Sequence, residues 1–124
     1  MSNYTSDDER VINEAYEELL VSCKKICKGE DDWNFIKRAF FFALEAHAGV
    51  RRRSGEPYLL HPIAVAQIVI NEIGLGVKSV VAALLHDVVE DTDYTVEDIE
   101  HIFGAKVASM VDGLTKMSGV FNAD

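Results

Sequence analysis

Only two cysteines and two prolines occur in the 124 residues of this chain. Cys23 and Cys27 lie four apart, which is neither the CxxC spacing of redox and zinc sites nor a disulfide framework. They read as thiols on one helix face in a reducing compartment. Positive charge is scarce too: 12 Lys and Arg stand against 21 Asp and Glu, leaving a net charge of −9. That excludes a general nucleic-acid binder, which needs a broad basic surface. No apolar run approaches the ~20 residues needed to span a bilayer. The opening MSNYTSDDER is polar and acidic, unlike a signal or transit peptide. The expectation is a soluble, cytoplasmic protein with no membrane contact. Repeats, low-complexity tracts and linkers are lacking as well.

What is present is apolar residue, 48% of the chain, enough for one domain with a single core. Its spacing is helical. Ser6 followed by Glu9 makes a capping box, and Val11, Ile12, Ala15, Leu19, Leu20, Cys23 and Ile26 follow near the 3.6 period, up to Gly29. Asp31 or Asp32 can cap a second helix carrying Trp33, Ile36, Ala39, Phe40, Ala43 and Ala46, which ends near Gly49. The basic stretch from Val50 to Leu60, with Ser54, Gly55 and Pro57, reads as a loop. Pro62 suits the first position of a third helix, which stops near Gly74 and Gly76. A fourth runs from about Lys78 to Glu90 with apolar residues on more than one face, so it is central. Its β-branched residues make a strand the competing assignment; length and phasing favour the helix. Thr95 with Asp98 opens a short helix through Phe103, closed by Gly104, and a last helix carries Val107, Met110, Val111 and Leu114. The expected fold is all-α, a bundle of about five or six helices with no βαβ alternation.

Four features on this scaffold could carry chemistry. His86 and Asp87 interrupt an apolar helix, where ionisable groups are costly unless paired or bound to metal; a hydrogen-bonded core histidine is the plainer reading of such a pair. Asp87, Glu90 and Asp91 stand at i, i+3 and i+4, which stacks three carboxylates on one face. A cation among them removes the repulsion; projection into solvent at a frayed helix end does so equally. His61, beside Pro62 at a helix start, meets a positive helix end that favours a neutral, ligating imidazole, or is simply a loop histidine. Arg51, Arg52 and Arg53, with Ser54 and Gly55, offer guanidinium forks for phosphate or stacking on a base, or a charged surface loop.

Taken in order, these segments resemble a known family. The string from Ala46 through His47, Arg51, Arg52, Arg53, Ser54, Gly55, Glu56, Pro57 and Tyr58 to His61-Pro62 is similar to the opening motif of the RelA/SpoT hydrolase domain. The string Ala82 to Thr92, with His86-Asp87 and Glu90-Asp91, is similar to its HD signature; Ile102-Phe103-Gly104 and Val111 to Lys116 resemble the next segment. The resemblance covers most of 33–120. It implies an all-helical HD-type fold holding one Mn²⁺, with His61, His86 and Asp87 as ligands. Glu90 and Asp91 would handle the nucleophilic water. Arg52 would stack on guanine, with Arg53 and Ser54 along the nucleotide. The reaction implied is release of pyrophosphate from the 3′ position of ppGpp or pppGpp to give GDP or GTP, in a parent that also makes these nucleotides as a GTP pyrophosphokinase. Two imidazoles with carboxylates suit Mn²⁺ better than a thiol-rich zinc site does.

There are departures from the pattern. Val50 stands where the family usually has Gln, and Arg53 where it often has Lys. The family completes its metal site with an Asp that would fall beyond Asp124, and its synthetase and regulatory domains would lie outside 1–124 as well. The resemblance therefore implies a domain incomplete at its C-terminus, weak Mn²⁺ binding, little turnover and self-association through uncovered apolar surface. Two other functions remain open. One is an HD phosphohydrolase for another nucleotide, against which the Arg-Arg-Ser-Gly-Glu-Pro-Tyr loop speaks. The other is a non-enzymatic helical regulatory or dimerisation module.

Overall fold

The computed structural model describes residues 4–121, with side chains through residue 116. Its helices are α1 (Ser6–Cys23), α2 (Glu30–Ala46), α3 (Leu60–Ile68), α4 (Val77–Asp91), α5 (Val96–Phe103) and α6 (Ala105–Phe121). A single π-turn, Val69–Ile73, extends α3 to Gly74, whose φ of 79° ends it. Among the described residues the only extended pairing is one antiparallel bridge between Arg51 and Pro57. The expected all-α bundle is the fold, and the fourth segment is a helix rather than a strand.

α4 forms the axis. It packs on α2, α3 and α6, while α5 lies on α6 and α1 on α3. All nine residues from Val80 to Val88 are buried, which is why the apolar sequence covers more than one face. Ile36, Phe40 and Ala43 of α2, Ile63 and Ala66 of α3, and Val107 and Val111 of α6 close around them. Tyr16 of α1 stacks on Phe40 at 3.7 Å between ring centroids. Arg38 lies 5.2 Å over the Phe103 ring and donates to the Ile102 carbonyl at 2.8 Å, tying α2 to the end of α5.

Several helix ends differ from the sequence expectation. The box that opens α1 is Thr5 with Asp8, one residue before Ser6 and Glu9. Both pairs fit the local pattern; Asp8 wins because its carboxylate also meets Arg51 from across the fold. α2 is capped at Gly29, and Asp32 lies inside its first turn, accepting the Lys28 N–H at 2.9 Å. α3 begins at Leu60, so Pro62 is its third residue rather than its first. Its missing N–H still costs nothing, because first-turn donors have no intrahelical partner. The box of Thr95 with Asp98 and the stop at Gly104 stand where the sequence puts them.

Candidate metal centre

The described residues contain one group that could hold a metal ion: His61, His86 and Asp87, whose ligating atoms all lie within 4.8 Å of one another. α4 supplies two of them from its buried run. α3 brings the third: His61 is on its first turn, and its Nε2 sits 3.7 Å from Asp87 Oδ2. His86 Nε2 is 3.1 Å from Asp87 Oδ1. The His86 Nδ1–H donates to the Ala83 carbonyl at 2.7 Å. A carbonyl oxygen only accepts, so a hydrogen sits on Nδ1, and Nε2 is the nitrogen turned toward the carboxylate.

The donor set fits a divalent cation on independent grounds. Asp87 is 4% exposed, and its Oδ2 is buried without a hydrogen-bond partner. A bare carboxylate oxygen in an apolar interior is strongly disfavoured. Two imidazole nitrogens and that oxygen converging on one point are what a cation restores to balance. The plainer reading of His86, a satisfied core histidine, accounts for its Nδ1 alone and leaves Asp87 Oδ2 unexplained.

The other candidate residues are placed as follows. Glu90 is exposed near the end of α4, and Asp91 one residue further on sits 3.6 Å from His47 Nε2. The Asp91 carboxyl is raised from its ordinary value, by burial first and then by the charge of Asp87. Arg52, Arg53 and Ser54 are exposed on the loop after α2. That loop is built by its own backbone: the Gly55 N–H donates to Arg52 O at 2.8 Å and the Arg52 N–H to Glu56 O at 2.9 Å. Gly55 takes a φ of 93°, a conformation that side chains rarely adopt. Ser54 donates to Glu56 Oε1 at 3.1 Å. Arg51 differs from its neighbours, since its guanidinium reaches back to the Asp8 carboxylate and donates to Gly55 O at 2.8 Å.

Sequence reasoning missed His47. Its side chain is wholly buried, with Nε2 toward Asp91 and its ring 5.2 Å from that of Tyr58. The signal was present: the buried stripe Ile36, Phe40, Ala43 continues at helical spacing onto residue 47, so the histidine occupies a core position. Tyr58 lies between His47 and His61, and its hydroxyl pKa is raised by burial first and then by Asp87 and Asp91. A separate open cleft of about 550 Å³ is lined by Phe42, Thr92 and Tyr94 with Glu45, Asp93 and Asp98. Three carboxylates make it a poor host for a polyphosphate.

A helical bundle with a buried His-Asp pair on its central helix defines a class, and the chain belongs to it: residues 39–123 match the HD domain family. The sequence is also similar to RelA/SpoT-type proteins. It is 46% identical over 99 residues to a probable guanosine-3′,5′-bis(diphosphate) 3′-pyrophosphohydrolase of Synechocystis sp., covering 77% of this chain and 13% of that protein. It is 46% identical over 103 residues to a probable GTP pyrophosphokinase of Mycobacterium leprae, covering 83% and 13%. Against the bifunctional (p)ppGpp synthase/hydrolase SpoT of Escherichia coli it is 47% identical over 88 residues, covering 71% and 12%. The chain thus spans about an eighth of the length of these relatives.

Proposed function

We propose that this chain carries the metal-binding part of a (p)ppGpp 3′-pyrophosphohydrolase, with Mn²⁺ held by His61, His86 and Asp87. The observation that carries the reading is the convergence of those three side chains within 4.8 Å around a buried, unpartnered carboxylate oxygen. The names of the relatives supply the substrate, a guanine nucleotide with a 3′ pyrophosphate.

When bound, the cation would polarise a phosphoryl oxygen and lower the pKa of water. The rest belongs to the chain's own groups. His86, tied to Ala83 O through Nδ1, keeps its Nε2 turned toward the site. Glu90 and Asp91, on the turn after Asp87, take the proton from the attacking water. Arg52 stacks on guanine, and Arg53 and Ser54 lie along the phosphates and ribose, all three from a loop whose exposed side chains leave them accessible. No described helix is long and apolar enough to cross a membrane. The free thiols of Cys23 and Cys27 suit a reducing, cytoplasmic setting.

The test is calorimetric titration of Mn²⁺ into the chain, alone and with ppGpp. Ala at His61, His86 or Asp87 is expected to weaken Mn²⁺ binding roughly tenfold or more. Arg52→Ala should weaken ppGpp and leave Mn²⁺ unchanged. Unaltered Mn²⁺ affinity in all three ligand variants would refute the centre. Equal binding of ppGpp, a dNTP and a cyclic dinucleotide would instead favour an HD protein for another nucleotide.

A further inference from the structure

We propose that His47 is a positioning residue for Asp91: its buried imidazole, anchored on α2, holds the Asp91 carboxylate at the end of α4 through one shared proton. This rests on the reading that Asp91 serves the attacking water.

The argument is geometric. His47 follows the last residue of α2 and is 0% exposed. Its Nδ1 lies 3.2 Å from the Ala43 carbonyl oxygen, which can only accept, so the hydrogen is on Nδ1. Nε2 then points at Asp91 Oδ2, 3.6 Å away, and is buried with no hydrogen bond to satisfy it. Without a proton on either atom, two lone pairs would face each other, which is repulsive and leaves the wholly buried Nε2 of His47 without a partner. One proton between them turns the contact into an attraction that fixes the carboxylate. The distance is beyond a formed hydrogen bond, so closing it is a small rotation of the Asp91 side chain, whereas the imidazole is held. Tyr58 stacks on the imidazole at 28° between planes, the Val50 N–H donates to His47 O at 2.9 Å, and the Tyr58 N–H donates to Val50 O at 3.0 Å. The charged and titratable groups around the pair are Tyr58 from the loop, and Asp87 and His86 from α4. His47 is outside the group of atoms that could hold the cation, so its effect reaches the reaction through Asp91.

The experiment is side-chain NMR of the metal-free chain. Long-range ¹H–¹⁵N spectra should show His47 protonated on Nδ1. The ¹³C carboxyl signal of Asp91 should shift in His47→Phe, which keeps the ring and removes the nitrogen. It should stay near the parent position in His47→Gln, whose amide N–H can reach the same oxygen. A residue that only fills space predicts no shift in either variant. Mn²⁺ affinity should stay within threefold of the parent in both. A bare Nδ1, or an Asp91 signal indifferent to both substitutions, would overturn the proposal; should the Phe variant not fold, the Nδ1 state in the parent and the Gln variant decide. Loss of Mn²⁺ binding in the parent would sink the metal reading and leave the His47 result to stand or fall separately.

Discussion

Single side chains set both the chemistry and the frame around it, and Asp8 shows the second role. Its carboxyl is lowered from the ordinary 3.8 to about 2, first by hydrogen bonding from Arg51 and then by the Thr5 N–H. A group with a depressed pKa in the folded state adds stability above its unfolded value, and that stability disappears as pH falls through the folded one. Asp8→Asn should therefore lower the thermal midpoint near neutral pH, by an amount that shrinks steadily as pH falls from ~4 through ~2, a comparison that melting curves over that range provide. Arg51→Ala should copy that pattern and also loosen the loop bearing Arg52, visible as faster amide exchange at Gly55, since Arg51 holds Gly55 O as well. Cys23 gives a simpler case. Burial pushes its thiol up to about 12, whereas Cys27 is only partly buried. Alkylation of the folded chain should mark Cys27 first, and mass mapping of the peptides checks it. The His86-Asp87 pair stood out because ionisable residues in an apolar run are conspicuous, whereas His61, at a helix start, joined it only through the family resemblance. The roles of His47 and Arg51 were not legible, since each depends on a partner distant in sequence, Asp91 or Asp8.

At the level of helices, the periodicity located all six α-helices of the described residues, and the errors fall at the ends, where tertiary contacts choose between similar local signals. Two adjacent box patterns begin α1, and nothing local ranks Thr5 with Asp8 above Ser6 with Glu9; the Arg51 contact does. The start of α5 had no rival, and Thr95 accepts the Asp98 N–H at 3.1 Å while Asp98 accepts the Thr95 N–H at 2.9 Å. Thr95→Ala should cost about 1 kcal/mol in urea unfolding, the usual value of such a cap. The π-turn Val69–Ile73 was invisible in sequence. Its residues keep an apolar pattern that a continuous α-helix would satisfy equally, and only packing shows the extra residue in the turn.

For the molecule as a whole, α4 is the helix on which α2, α3 and α6 all pack. Leu84 and Leu85 are fully buried within it, directly before His86. Leu84→Ala should destabilise the domain by about 2–5 kcal/mol, from lost burial and the cavity left behind. Equilibrium denaturation measures that loss. On the proposed metal reading, the same variant should weaken Mn²⁺ binding although it removes none of the three donors, because the cavity lies one turn from Asp87. Self-association belongs to this scale too: Val21, Ile68, Ile73 and Leu75 are exposed apolar side chains, and sedimentation velocity over a concentration series should show whether they draw copies together.

One uninterrupted stretch of backbone both fills the interior and presents two of the three proposed donors, so under the proposed function occupancy and foldedness report on a common equilibrium. Each tenfold rise in free Mn²⁺ above its dissociation constant should add ~1.4 kcal/mol to the folding free energy. On that reading a chelator should act as a mild denaturant of the metal-loaded chain, lowering its thermal midpoint.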